Sequence, residues 1–184
     1  MKKLRINKNK LRKLEPTKNV FLSLASSIIY QQISTSAGNA IYKKFLKLFK
    51  GKPSAEKLLK LSTQRIRNAG ISPQKLSYLI DLAKKFSSNS SKLSKVNLKK
   101  MKNEEVKQLL LEVKGIGPWT VDMFLIFALN RPDILPIGDL GIRKGFKKVF
   151  NLKSLPTEKT MHRLAQPYTG TRTYLSLHLW KSLE

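Results

Sequence analysis

The chain has 184 residues, of which 41% are hydrophobic, so it is long enough to bury the core of one domain. The absence of cysteine excludes a disulfide framework, a thiolate zinc site and an iron–sulfur cluster, and no apolar run approaches the roughly 18 residues of a membrane span. A formal net charge of +26 favours a polyanionic partner, because self-repulsion of this size destabilises a folded chain. A generally lysine-rich composition is the alternative for part of the excess. Nucleic acid is favoured over an anionic membrane, since no basic amphipathic helix stands apart from the core pattern.

The amino terminus can be interpreted as a signal peptide or as a basic arm. "MKKLRINKNKLRK" followed by "FLSLASSIIY" has the charged and apolar regions of a signal peptide, but the apolar run continues through Gln31, Gln32 and Ser34 without a clear cleavage site. We therefore interpret residues 1–15 as a basic arm and residues 16–184 as one helical domain. The expected location is intracellular: the cytoplasm and nucleoid in a prokaryote, or the nucleus in a eukaryote.

Helical periodicity dominates the rest of the chain, and no alternating strand pattern is convincing. Apolar residues recur at three to four positions over 21–29, 37–48, 76–83, 106–113 and 121–129, with shorter helices near 54–61, 63–69, 142–149 and after 157, and a last one ending at Trp180. Ser34 and Ser72 are predicted caps, with Pro73 at the first helical position after Ser72. "SSNSSKLSK" is predicted to be a polar loop. The sum is about nine or ten helices, an all-α domain.

"KGIGP" joins two of these helices and predicts a helix–hairpin–helix. Gly115 and Gly117 allow backbone angles and close approach that other residues do not. N–H groups at the start of the second helix suit a phosphate oxygen, and carbonyls of the same turn suit a sodium or potassium ion. An ordinary turn between helices with a glycine stop explains the pattern equally well, so the hairpin alone does not decide between them. His162 and His178 are too few for a histidine metal site, and no other cofactor is expected.

A longer set of motifs resembles one family. "GIGPWTVDMFLIFAL" followed by "PIGDLGIRKGF" is similar to the helix–hairpin–helix and Gly/Pro-Asp signature of base-excision DNA glycosylases. "FLSLASSIIYQQISTSAGNAIYKKF", "LSTQRIRNAGISPQKLSYLIDLAKKF" and "TRTYLSLHLW" resemble the first, middle and last helices of the 3-methyladenine DNA glycosylase II branch, in the same order. The departures are Lys114 where proline is usual, Val121 where alanine is common, and no amino-terminal β-domain. The resemblance implies the compact multi-helix HhH-GPD fold with a DNA-binding cleft.

The resemblance places the catalytic aspartate at Asp139. A carboxylate beside the sugar stabilises the oxocarbenium-like charge of N-glycosidic cleavage and orients water. Taken alone, Asp139 is more often a helix N-cap, and the two roles are compatible. Asp122, inside a helix, is interpreted as structural, and Asp133 as a loop residue.

The same resemblance assigns the remaining site residues. Trp119 stands where lyase members have a lysine, which implies a monofunctional enzyme. The base pocket is expected from Trp119, Trp180, Tyr168, Met123 and Leu140; core packing is the alternative for both tryptophans. The remaining assignments are a phosphate-binding hairpin of Lys114, Gly115, Ile116, Gly117 and Thr120, a wedge at Gln32 or Gln31, and backbone contacts from Arg143 and Lys144. A glutamine at a helix end can equally be a hydrogen-bonding residue.

The expected function is hydrolysis of alkylated purines, 3-methyladenine and 7-methylguanine, from flipped nucleotides of double-stranded DNA, by a monomer. Etheno and deaminated bases are further candidate substrates. The alternatives are a non-catalytic nucleic-acid-binding module and a bifunctional glycosylase/lyase.

Overall fold

The structure is a computed structural model that describes residues 6, 7, 9, 11, 13–88 and 92–184. All regular structure in this part of the chain is helical, which confirms the predicted all-α class. The chain folds as two compact units. The amino-terminal unit comprises residues 17–121, and the carboxy-terminal unit comprises residues 122–184 with the chain up to Pro16. The range predicted as one domain is therefore shared between two units.

The amino-terminal unit is built around a long central helix. Its described helices are α1 (Val20–Tyr30), α2 (Thr35–Leu46), α3 (Ala55–Leu59), α4 (Thr63–Asn68), α5 (Pro73–Ser88), α6 (Lys95–Lys100), α7 (Asn103–Leu111) and the start of α8 (Pro118–Met123). Helix α5 packs against both α1 and α3. Leu79 and Leu82 of α5 and Leu24 and Ile28 of α1 are completely buried, and each such side chain stabilises the fold by roughly 1.5–3 kcal/mol.

Side-chain caps define where several of these helices begin. The Ser34 hydroxyl accepts from the Ala37 N–H at 3.3 Å, and the Ser72 hydroxyl accepts from the Lys75 N–H at 3.3 Å. Both caps are those predicted from the sequence, and each satisfies a backbone N–H that the first helical turn leaves without a partner. The Asn19 side chain does the same for α1, accepting from the Leu22 N–H at 3.0 Å.

The carboxy-terminal unit places three helices around its own core. They are α9 (Leu140–Val149), α10 (Glu158–Ala165) and α11 (Arg172–Lys181), with a 3₁₀ turn at Gln166–Tyr168. Ile142, Phe146, Met161 and Leu175 form part of the core cluster. Helices α9 and α11 approach closely at Gly145, where an added Cβ would lie 2.7 Å from the Leu179 carbonyl oxygen.

Two segments differ from the prediction. The helix predicted over 121–129 is α-helical only to Met123 and continues as a π-helical segment, Phe124–Ala128, in which the Leu129 N–H bonds to the Phe124 carbonyl. Apolar spacing does not distinguish these two helix types, because both bury one face. Helix α6 was not predicted, since its six residues are too few to show a period.

The described residues of the predicted basic arm contact the carboxy-terminal unit. Ile6 packs against the core cluster, and the Asn130 amide donates to the Leu14 carbonyl at 2.9 Å. Residues 1–5, 8, 10 and 12 of the arm lie outside the described residues. Among the described residues, no helix combines the length and hydrophobicity needed to cross a membrane.

Candidate active site and DNA-binding hairpin

The predicted hairpin is present between α7 and α8. Gly115 has φ +78°, a left-handed backbone that favours glycine. A Cβ on this residue would also lie 2.1 Å from Cδ2 of Tyr78, so the turn lies against a ring that excludes any side chain. Gly117 is different, because an added Cβ there would meet nothing within 4 Å. The hairpin thus has one glycine required by the fold and one that keeps an open surface.

Two further contacts hold the turn within the amino-terminal unit. The Lys114 N–H donates to Asp81 Oδ2 of α5 at 2.9 Å, and Gln31 Nε2 donates to the Gly115 carbonyl at 2.7 Å. Two of the residues predicted to bind phosphate have buried side chains. Ile116 is 4% exposed and Thr120 is 3% exposed, so their side chains belong to the core and only their backbones remain at the turn. Lys114 is exposed, as a phosphate contact requires.

The two wedge candidates have separate environments. Gln31 is half-buried and its amide is committed to Gly115, so the helix-end hydrogen-bonding alternative describes it and the wedge prediction does not. Gln32 is exposed and has φ +56°, an uncommon backbone for a residue with a side chain. Of the two, only Gln32 has an exposed side chain, and its assignment as the wedge stays a prediction.

Asp139 begins α9 as its N-cap. Its Oδ1 accepts from the Ile142 N–H at 2.8 Å and from Trp180 Nε1 at 2.9 Å. The capping role considered in the sequence analysis is therefore present. These two donors fix the orientation of a carboxylate that is only partly buried. A reactive carboxylate needs the same properties.

Trp180 of α11 lies beside Asp139 and stacks on a second aromatic ring. The ring centroids of Trp180 and Phe127 are 5.9 Å apart with an interplanar angle of 25°. Sequence reasoning missed Phe127, which comes from the π-helical segment. The sequence shows two phenylalanines in "FLIFAL", but their direction could not be predicted because the π-helical geometry was not recognised.

The other predicted pocket residues divide by exposure. Leu140, next to Asp139, is 52% exposed, and Met123 is half-buried. Trp119 belongs to the amino-terminal unit and is 48% exposed, which is unusual for a tryptophan and is expected of an aromatic surface that meets a ligand. Tyr168 is only 2% exposed and lies within the core cluster, so its ring packs the carboxy-terminal unit rather than lining an open pocket.

Two other carboxylates near Asp139 in sequence, Asp122 and Asp133, have structural roles. Asp122 is 8% exposed within α8. Asp133 receives two bonds from the Arg172 guanidinium, at 2.6 and 2.7 Å, and one from the Arg172 N–H at 3.1 Å. The guanidinium hydrogen bond is the main cause that lowers the pKa of Asp133 to about 2. Asp133 therefore holds the start of α11, a more specific role than a loop residue.

Two cations on α9 are candidates for backbone contacts. Lys144 is exposed and Arg143 is half-buried, in the helix that Asp139 caps. Both can reach solvent from this helix, and the assignment to DNA stays a prediction.

Comparison with known protein families assigns this chain to one of them. The profile of the HhH-GPD superfamily base excision DNA repair proteins matches residues 25–169, most of the chain. The chain belongs to this superfamily. The match contains the hairpin, Asp139 and Tyr168, and ends before α11, which supplies Trp180.

Individual relatives resemble most of the chain. DNA-3-methyladenine glycosylase 1 of Schizosaccharomyces pombe is 32% identical over 174 residues, covering 94% of this chain and 74% of the relative. YfjP of Bacillus subtilis is 30% identical over 173 residues, and the chain spans 60% of its length. The solved structure of S. pombe 3-methyladenine DNA glycosylase Mag1 in complex with abasic DNA superposes with a TM-score of 0.77 at 30% identity, covering 93% of this chain and 86% of that one.

Proposed function

We propose that this HhH-GPD protein is a monofunctional DNA glycosylase that hydrolyses the N-glycosidic bond of alkylated purines, such as 3-methyladenine and 7-methylguanine, in duplex DNA. The observation that carries the proposal is the fixed Asp139 carboxylate, held by the Ile142 N–H and Trp180 Nε1 in a superfamily of base excision repair proteins. The relative named DNA-3-methyladenine glycosylase 1 supports the substrate class, and the abasic-DNA complex of Mag1 supports DNA as the partner.

The proposed mechanism needs one carboxylate. As the bond between the sugar C1′ and the base nitrogen breaks, its electron pair leaves with the base and positive charge develops on the deoxyribose. Asp139 stabilises that charge, orients the water that attacks C1′ and accepts the proton that this water gives up. A base alkylated on a ring nitrogen is already cationic and leaves as a neutral molecule. A second carboxyl group to protonate the leaving group, which glycoside hydrolases use, is therefore unnecessary.

Aromatic rings supply the selectivity in this proposal. Trp180, which lies beside Asp139, presents an electron-rich face, and a good cation–π contact contributes roughly 0.5–2 kcal/mol. A flipped cationic purine gains this cation–π energy and a neutral normal purine does not, so damaged bases are favoured once the nucleotide has flipped out of the DNA duplex. Leu140 adds an apolar surface next to the carboxylate.

The residue at position 119 is the reason for proposing an enzyme without lyase activity. Lyase members carry a lysine where this chain has Trp119, and indole cannot form a Schiff base with the sugar. Lys114 is assigned to phosphate, because its backbone is part of the turn that Asp81 holds.

The hairpin contributes the grip on the DNA backbone. Backbone N–H groups at the start of α8 and the exposed Lys114 face the phosphates in this proposal. The proposal also includes a monovalent cation bound by carbonyl oxygens of the turn. The Gly115 carbonyl already accepts from Gln31, but a carbonyl oxygen has a second lone pair. The protein is proposed to act as a monomer wherever the cell keeps its DNA.

A second candidate is a DNA-binding module without catalysis, and the capping role of Asp139 is the observation that favours it. One experiment separates the possibilities. Methylated duplex DNA is incubated with the protein, free bases are measured by mass spectrometry, and the strands are analysed before and after heating in alkali. Methylated purines with strand breaks only after alkali support the proposal. Breaks before alkali indicate a lyase, and the absence of released bases indicates a binding module.

A further inference from the structure

One side chain links two distant parts of the amino-terminal unit. Gln31 is the C-cap of α1, where the chain leaves the helix with ψ 132°. Its Nε2 reaches the Gly115 carbonyl, 84 residues away in sequence, at 2.7 Å. The end of α1 and the hairpin turn are thus joined directly by a hydrogen bond.

Helix α5 supports both partners of this bond from one face. Lys75, Tyr78 and Asp81 are three residues apart, so they lie on the same side of the helix. Lys75 Nζ donates to the Ile29 carbonyl at the end of α1 at 2.8 Å, the Tyr78 ring lies against Gly115, and Asp81 accepts from the Lys114 N–H. The two ends of the Gln31 link are therefore already held at a fixed separation.

Lys114 and Gly115, which open the hairpin turn, are both held through their backbone groups by side chains from other elements. Glycine loses more backbone freedom on folding than any other residue, and Gly115 has no side chain of its own to pack. Asp81 fixes the N–H side of Lys114, and Gln31 fixes the carbonyl of Gly115. Together they set the direction in which the next N–H groups of the turn point.

We propose that Gln31 is a positioning residue that orients the hairpin turn and joins it to the turn between α1 and α2, which carries the exposed Gln32, as one rigid body. The inference rests on the proposed function only for its DNA-binding readout. Its chemical requirement is a donor, because the partner atom is a carbonyl oxygen. A glutamate at this position has nearly the same shape, but its ionised form offers only acceptors.

The first test compares amide hydrogen exchange in the free, full-length protein. Gln31→Ala and Gln31→Glu are expected to exchange about three- to tenfold faster than the wild type at the hairpin amides of residues 114–120, the cost of one part-buried hydrogen bond. Exchange in α9–α11 is expected to be unchanged. Gln74→Glu, at an exposed position of α5, makes the same change of charge and is expected to exchange like the wild type. Circular dichroism of each variant establishes that the helices are retained.

The second test uses the protonation of the introduced glutamate. A protonated carboxyl group can donate to the Gly115 carbonyl, so the affinity of Gln31→Glu for a duplex with an abasic-site analogue, relative to wild type, is expected to rise from pH 8 toward pH 4.5. Lys75 and Asp81, which contact the two turns from α5, and Lys114 of the hairpin are charged, and so are Lys84 and Lys85 of α5 and Glu112 at the end of α7; all of these residues are the same in the variant and in the wild type. Gln31→Ala is expected to bind about three- to tenfold more weakly with no such recovery.

Two results would overturn the inference. Hairpin exchange equal to wild type in both variants would show that Gln31 does not hold the turn. A defect of Gln31→Glu that stays constant with pH would show that shape or charge, rather than donation to the carbonyl, is lost. Because exchange is measured without DNA, a protein that releases no bases would leave this test intact, and the failure of the proposed function would be seen separately.

Discussion

Gly115 and Gly117 lie two residues apart, but an added methyl group would meet different surroundings at each. At Gly115 the added methyl group would collide with the Tyr78 ring, and the residue would have to keep a left-handed backbone that disfavours any side chain. We expect Gly115→Ala to lower the free energy of unfolding by about 1–3 kcal/mol, measured by urea denaturation. Equal stability of this variant and the wild type would contradict the packing of the hairpin on α5.

Gly117→Ala is the matched variant. Open space surrounds the position of its Cβ, so we expect the free energy of unfolding to stay within about 0.5 kcal/mol of wild type. Its affinity for duplex DNA is nevertheless expected to fall, because the methyl group would lie where the backbone of the turn approaches a phosphate. Full affinity would argue against this face of the hairpin as the DNA contact.

Single residues show how far the sequence could be interpreted. Asp139 was found through the "PIGD" motif of a known family, whereas its bond to Trp180 joins residues 41 apart and no local pattern encodes it. The Gln31–Gly115 bond is of the same kind. Tyr168 was misplaced because an aromatic residue near a motif is compatible with both a core and a pocket, and only burial distinguishes them.

At the scale of elements, capping residues were the most informative signal. Ser34, Ser72 and Thr157 begin helices at the predicted places, because each accepts from an N–H three residues later. The π-helical segment Phe124–Ala128 and the short α6 were missed. Their hydrogen bonding depends on tertiary packing, and their apolar residues follow no separate period.

The start of α11 gives a prediction about pH. Because Arg172 lowers the folded-state pKa of Asp133 from 3.8 to about 2, the pair stabilises the fold above about pH 4 and this contribution is lost as the pH falls through about 2. Asp133→Asn is expected to lower the free energy of unfolding by roughly 1 kcal/mol at pH 7, a figure reduced for partial exposure. The difference from wild type should shrink between about pH 4 and pH 2 in denaturation experiments.

Glu112→Gln is the control for that experiment. Glu112 pairs with Lys85 at 2.8 Å, but the Glu112 side chain is 58% exposed, and such pairs contribute little. We expect no measurable change in stability at pH 7. A larger loss for Glu112→Gln than for Asp133→Asn would contradict the role assigned to Arg172.

At the scale of the whole molecule, the charge is unevenly placed. No acidic residue occurs between Glu15 and Glu56, and Lys43, Lys44, Lys47 and Lys50, here called the α2 lysine cluster, are all exposed. If this surface contacts the DNA backbone, changing the cluster to glutamine reduces the slope of log affinity against log salt by about 0.9 for each lost phosphate contact. Binding to an undamaged duplex across a salt series measures the slope.

The chain offers a second set of four lysines as a control. Lys92, Lys99, Lys100 and Lys102 are also exposed, but the sequence that follows them carries Glu104, Glu105 and Glu112. Changing these four to glutamine removes the same charge, and we expect a much smaller change in slope. Equal changes in both variants would mean that net charge, rather than the α2 surface, determines binding.

The central claim is that the Asp139 carboxylate performs the chemistry, and Asp139→Asn tests it with the fold retained. Asparagine is an equally good N-cap, and its side-chain oxygen can still accept from Ile142 and Trp180, so only the charge is removed. The measurement is single-turnover release of 7-methylguanine from duplex DNA, together with affinity for an abasic-site duplex. The account predicts a loss of release of at least about a hundredfold with affinity retained; release at the wild-type rate would contradict it.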